Sequence, residues 1–152
     1  MFTPDEVAGI VDIFGSLTRE ETSEALSELA YRRGEKPTEN LVRDALSEFV
    51  LIAFERDGER VLTPGPAAFP ELPEGAEDLP HILDVDPRPV DRTVATHAAA
   101  ERLRTEAVCA ATVGAHEHAD RLLDISYDLE TWGHVDLAGV RARLDTVTDG
   151  TN

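Results

Sequence analysis

The sequence predicts a mainly α chain of α+β class: three helices plus a β-hairpin, a Pro-rich strap, then a C-terminal helical unit. Three observations predict it. Two capping boxes open apolar stripes near the N-terminus, an Asp-Gly pair sits between two β-prone runs, and an Ala-rich stretch follows a cluster of prolines.

Thr3-Pro4-Asp5-Glu6 is a capping box with proline at the first helical position. Val7, Ile10, Val11 and Phe14 continue it as an apolar stripe that Gly15 closes. Thr18-Arg19-Glu20-Glu21 is a second box. Its stripe is Ala25, Leu26, Leu29 and Ala30, with Glu28 and Arg32 as an i,i+4 pair and Gly34 as the stop. A third helix is expected from near Thr38, burying Leu41, Val42, Ala45, Leu46 and Phe49. Asp57-Gly58 then joins Val50–Glu55 to Arg60–Thr63, and favours a type I′ turn. In that register Phe54 faces Val61 and Glu55 faces Arg60.

Three helices followed by a hairpin, within about 60 residues, resembles a winged helix. The resemblance rests on element order and turn chemistry. It implies that the second and third helices, joined through Arg33-Gly34-Glu35-Lys36-Pro37, form a helix-turn-helix, and that the hairpin is the wing. The chain accordingly divides into a winged-helix-like domain at 1–63, a Pro-rich connecting segment at 64–92 and a C-terminal helical unit at 93–152.

Seven of the nine prolines fall between Pro64 and Pro89, which marks the connecting segment. It also carries Phe69, Leu72, Leu79, Ile82, Leu83 and Val85. Those side chains favour an extended course over the N-terminal domain rather than a semi-rigid spacer. The C-terminal unit reads as helix from about Thr93 to Leu129. Val94, Ala98, Thr105, Val108, Thr112, Ala115, Ala119 and Leu123 are expected on one face. Gly114 either breaks this run or marks a close crossing. Asp136 caps a last helix striped by Leu137, Val140, Leu144 and Val147.

Charge narrows the setting. Asp and Glu number 31 against 14 Lys and Arg, a formal net charge of −17, and 13 of the 14 cations are Arg. Such an excess repels itself in dilute buffer, but at about 1 M salt the Debye length is only about 3 Å. The composition resembles that of cytosolic proteins of extremely halophilic archaea. The stretches Phe2-Thr3-Pro4-Asp5-Glu6-Val7 and Ala67-Ala68-Phe69-Pro70 resemble those of a small conserved haloarchaeal protein family of unknown function. That resemblance implies no particular activity. The start Met1-Phe2-Thr3-Pro4-Asp5-Glu6, with no basic n-region or apolar h-region, leads to the expectation of a cytoplasmic location. No charge-free stretch exceeds ten residues, so no membrane partner is expected. A single cysteine, Cys109, excludes an internal disulfide.

The cations cluster. Residues 1–31 hold one, Arg19, against seven acids, whereas residues 32–60 hold six against seven. Arg32, Arg33, Lys36, Asn40, Arg43, Arg56 and Arg60 therefore form the candidate DNA-binding set, with Asn40, Arg43 and Ser47 able to read bases. Glu39, Asp44 and Glu48 would oppose the same anionic groove. Among the histidines, His97/Glu101 and His116/Asp120 are i,i+4 pairs. If the chain folds back at Gly114, His97 and Glu101 come nearer His134 and Asp136. No four-ligand set emerges, so no metal, cofactor or catalytic residue is assigned. Cys109 reads as an inert core thiol in Ala107-Val108-Cys109-Ala110-Ala111.

These readings point to a non-enzymatic regulatory or adaptor protein of a halophile, with DNA as its partner in transcription regulation and a homodimer formed through the C-terminal helices. Two alternatives stand beside it. One is a winged helix used only for protein–protein contact, its cations paired with neighbouring acids. The other is a small metal-dependent enzyme built on the C-terminal histidines.

Overall fold

A computed structural model describes residues 2–36 and 40–148. The chain forms two compact units, Met1–Asp91 and Arg92–Asn152. In the first, α1 (Pro4–Phe14), α2 (Arg19–Arg32) and α3 (Leu41–Ser47) precede a hairpin of β1 (Leu51–Arg56) and β2 (Glu59–Pro64). The class is thus mainly α with one small antiparallel sheet.

Both capping boxes form. Thr3 Oγ1 accepts from the Glu6 N–H at 3.1 Å, and Glu6 Oε1 accepts from the Thr3 N–H at 2.9 Å. Thr18 and Glu21 repeat the exchange. Each cap contributes about 1 kcal/mol by satisfying N–H groups that a helix start leaves open. The two stripes then bury Val7, Ile10, Val11 and Phe14 against Ala25, Leu26, Leu29 and Ala30 in one core.

The hairpin pairs Phe54 with Val61 and Glu55 with Arg60, as the Asp-Gly spacing requires. Asp57 and Gly58 both have positive φ, 51° and 81°, which is the type I′ geometry. One further strand contact was not legible. Leu17, between α1 and α2, exchanges two backbone bonds with Leu62 of β2, at 3.0 and 2.7 Å. A one-residue bridge has no periodicity to betray it.

The third helix is shorter than expected. It begins at Leu41, and the expected start at Thr38 lies outside the described residues. Leu41, Val42 and Ala45 are buried and Leu46 half-buried. Phe49 is fully buried but lies beyond the helix, at φ 60°. A left-handed L-residue costs about 1–2 kcal/mol. Burial of the Phe49 ring offsets that cost, and the turn swings the chain directly into β1.

The Pro-rich segment lies on this unit. It holds a 3-10 turn (Ala76–Asp78) and α4 (Leu79–Leu83). Ala76 and Leu79 are buried in the core, with Leu83 and Val85 packed against it. The Glu71 N–H donates to the Asp5 carbonyl at 3.0 Å, the Phe69 N–H to Asp5 Oδ1 at 3.1 Å, and the Arg88 N–H to the Phe14 carbonyl at 2.6 Å. Two glycines permit this approach: a Cβ at Gly9 would meet the Glu71 carbonyl, and one at Gly15 the Arg88 carbonyl. Arg88 then clasps Glu21 with two bonds, 2.7 and 2.8 Å.

The second unit packs α5 (Arg92–Val113), α6 (His116–Trp132) and α7 (Ala138–Thr148). Gly114, at φ 68°, is the break between α5 and α6. The buried face of α5 differs from the expected one. Val94, Thr105, Val108 and Thr112 face solvent, and the row one residue along, Ala95, Ala99, Leu103, Ala107 and Ala110, is buried. Leu103 is the only Leu on α5, and its row carries the alanines that let neighbouring helices close in. Cys109 is consequently exposed, not a core thiol. Leu137, just before α7, and Leu144 and Val147 within it are buried, and Asp136 Oδ1 caps the start by accepting from the Ala138 N–H at 3.0 Å. Glu130 ties α6 to α7, accepting from the Leu137 N–H at 2.7 Å and pairing with Arg141 at 2.8 Å. Arg141, then the Leu137 N–H, hold the Glu130 carboxyl below its ordinary range.

Candidate functional site

The seven candidate contact residues all fall on the first unit, on three stretches of surface. Arg32 and Arg33 end α2, and Lys36 follows in the turn. Asn40 and Arg43 stand at α3, and Arg56 and Arg60 flank the hairpin turn. All but Arg56 are exposed.

Their engagements differ. Arg32 Nε lies 3.3 Å from Glu28 Oε1, and Arg43 lies 3.6 Å from Asp44 Oδ1. Both pairs are well exposed, and such pairs contribute only about 0–1 kcal/mol. A phosphate can therefore replace either carboxylate at small cost. Arg33 stacks over the Phe2 ring, 4.6 Å from its centroid. Arg56 is turned away, donating to the Pro89 carbonyl at 3.2 Å. Arg60 sits opposite Glu55 in the hairpin. Asn40 has φ 67° and its side chain makes no cap bond to α3. Tyr31, at 82% exposure, presents a ring beside Arg32 and Arg33 that the sequence did not single out.

Electrostatic tuning in this unit occurs at the strap instead. Burial alone would raise the Glu21 carboxyl. The Arg88 hydrogen bonds, the Thr18 N–H and the Arg88 charge outweigh it and hold Glu21 below its ordinary value.

The second unit contains a cleft of about 470 Å³ between the start of α5 and the α6–α7 loop. Arg92 closes one side. It donates to the Trp132 carbonyl at 3.0 Å and stacks on the Trp132 ring, 4.2 Å from the centroid. His97 and His134 line the same cleft, as expected if the chain folds back at Gly114; Glu101 and Asp136 do not. Gly133 sits against Thr96, where a Cβ would collide with the threonine side chain. The Thr96 hydroxyl is buried and meets no hydrogen-bond partner among the described residues. Leaving such a group unpaired costs about 1–3 kcal/mol.

The histidine pairs do not converge on a metal. Glu101 pairs with Arg104 at 2.8 Å, and His118 lies 3.2 Å from Glu106. Among the described residues no group of three or more His, Cys, Asp or Glu could hold a metal ion, and no helix is long and apolar enough to cross a membrane.

The fold and its surface define a two-unit α+β protein, with a helix–hairpin module that carries exposed Arg and Lys and a second, three-helix unit. The chain belongs to a family of unknown function (DUF7109), matched over residues 5–149. No curated protein and no solved structure matches it.

Proposed function

We propose that this is a non-enzymatic regulatory protein of a salt-loaded cytoplasm, and that its first unit is a winged-helix-like module contacting DNA. The observation that carries the proposal is the Leu17–Leu62 bridge, a one-residue antiparallel contact that ties the segment between α1 and α2 to the hairpin. Three helices followed by a hairpin is the order that resembles a winged helix, and a helix-turn-helix lays its second helix in the major groove. Exposed Arg33, Lys36, Arg43 and Arg60, with Asn40, supply the phosphate and base contacts; Tyr31 adds a stacking surface. Arg32 joins once it exchanges Glu28 for a phosphate, and Arg43 likewise exchanges Asp44. Arg56 contributes least, because the strap already holds it.

A second reading has its own support. Arg32–Glu28 and Arg43–Asp44 are acid-paired, as a module used only for protein contact would be. One experiment separates the two. The tagged protein is crosslinked in its native host and its chromatin occupancy sequenced, beside an Arg32→Glu, Arg33→Glu, Arg43→Glu variant of matched abundance and circular dichroism. Discrete peaks lost in the variant are expected. Peaks that survive refute the site, and no enrichment over an untagged control leaves the protein-contact reading. Working in the cell fixes the salt, on which phosphate contacts depend steeply.

A further inference from the structure

The cleft of the second unit is chemically unlike the rest of the chain. Acids outnumber Lys and Arg by 31 to 14 overall, yet the residues lining this cleft include Arg92, Arg104, His97 and His134 and no Asp or Glu. Its volume, about 470 Å³, lies within the range of small-molecule sites. We infer that it is a binding site for a small phosphorylated metabolite, a ligand class that the DNA-contact reading neither requires nor supplies.

Arg92 is pre-set for this role. Its stack on Trp132 and its single bond to the Trp132 carbonyl fix the guanidinium, and a guanidinium has five N–H donors. Arg104 enters from three turns along α5, its Glu101 partner lying outside the lining residues. Each imidazole offers an N–H in any protonation state. Each guanidinium suits a phosphate group, which accepts forked pairs of bonds and carries more charge than one carboxylate. That second charge matters where salt is high and monovalent anions compete for every cation.

Gly133 explains how the site is built. Only a residue without a Cβ lets the α6–α7 loop seat on Thr96, and this seating brings His134 to the same cleft as His97.

Trp132 is the sole tryptophan, so its fluorescence reports on this cleft alone. The full-length protein is titrated in molar potassium chloride with inorganic phosphate, pyrophosphate and, as a dianionic carboxylate control, succinate. Calorimetry on the same samples confirms each isotherm. Saturable binding of a phosphate compound is expected, weakened at least about tenfold in an Arg104→Gln, His134→Gln variant that keeps the Arg92–Trp132 stack. A change confined to Arg92→Gln would confound the signal, so the double variant is the decisive one. Binding of succinate alone overturns the phosphate class. No saturation with any probe, or equal affinity in the folded double variant, overturns the site.

Discussion

Gly9→Ala puts the course of the Pro-rich strap to a test of sign. In an open helix this substitution stabilises by about 0.5–1 kcal/mol, because alanine loses less backbone freedom than glycine. Gly9 is a buried α1 position, and its Cβ would fall on the Glu71 carbonyl, a backbone atom that no rotamer change can move aside. If the strap lifts, it forfeits the bonds from the Glu71 and Phe69 N–H groups to Asp5, at 3.0 and 3.1 Å. Each is worth about 1 kcal/mol. If it stays, overpacking costs about 1–3 kcal/mol. Less the helix gain, the first route gives a net loss of about 1–1.5 kcal/mol and the second about 0–2.5, so a loss of about 1 kcal/mol, or about 4–8 °C in the melting temperature of a unit this size, is expected. The assay is thermal and denaturant unfolding by far-ultraviolet circular dichroism, at one fixed salt concentration because salt alone shifts so acidic a chain. A variant as stable as the parent, or more stable, would refute the seating of the strap on α1.

The Arg88–Glu21 clasp predicts a pH signature. Glu21 has a depressed pKa, so its stabilisation is complete above the ordinary carboxylate value of 4.5 and is lost as pH falls through the lowered one. Arg88→Gln is expected to cost about 1–2 kcal/mol at neutral pH, with the gap from the parent closing in acid; melting curves across pH would show a constant gap if the clasp were irrelevant. Cys109 is expected to take up one equivalent of a thiol reagent without denaturant, since it stands on the solvent side of α5. Reaction only on unfolding would reverse the assignment of that helix's faces.

Local chemistry was readable from the sequence. The Thr3 and Thr18 boxes and the Asp57-Gly58 turn are settled by residues three or fewer apart, and the structure shows each of them formed. The buried face of α5 was not readable, because alanines lie on both candidate rows and only Leu103 separates them. The end of α3 was missed because no glycine marks it; Phe49 takes the left-handed position that glycine usually fills. The cation set was visible as a shift in composition, but the loss of Arg56 to Pro89 is a contact across 33 residues, which spacing cannot reveal. The cleft joins residues 92–104 to 132–135, and the fold-back at Gly114 was the one hint of that meeting.

The strap's prolines have a consequence beyond stiffness. A peptide lying on an apolar core without a ladder would normally strand N–H groups away from water, each needing an acceptor. Seven positions between Pro64 and Pro89 have no such hydrogen to satisfy. The segment therefore carries fewer donors than its length would give. Among those that remain, the Gly65 N–H finds the Val50 carbonyl, Ala67 the Phe49 carbonyl, Phe69 and Glu71 find Asp5, and Arg88 finds Phe14. An irregular stretch can thus serve as the lid of a hydrophobic core. Replacing the buried Pro73, even with a residue that fits sterically, would add an amide hydrogen that needs an acceptor away from water.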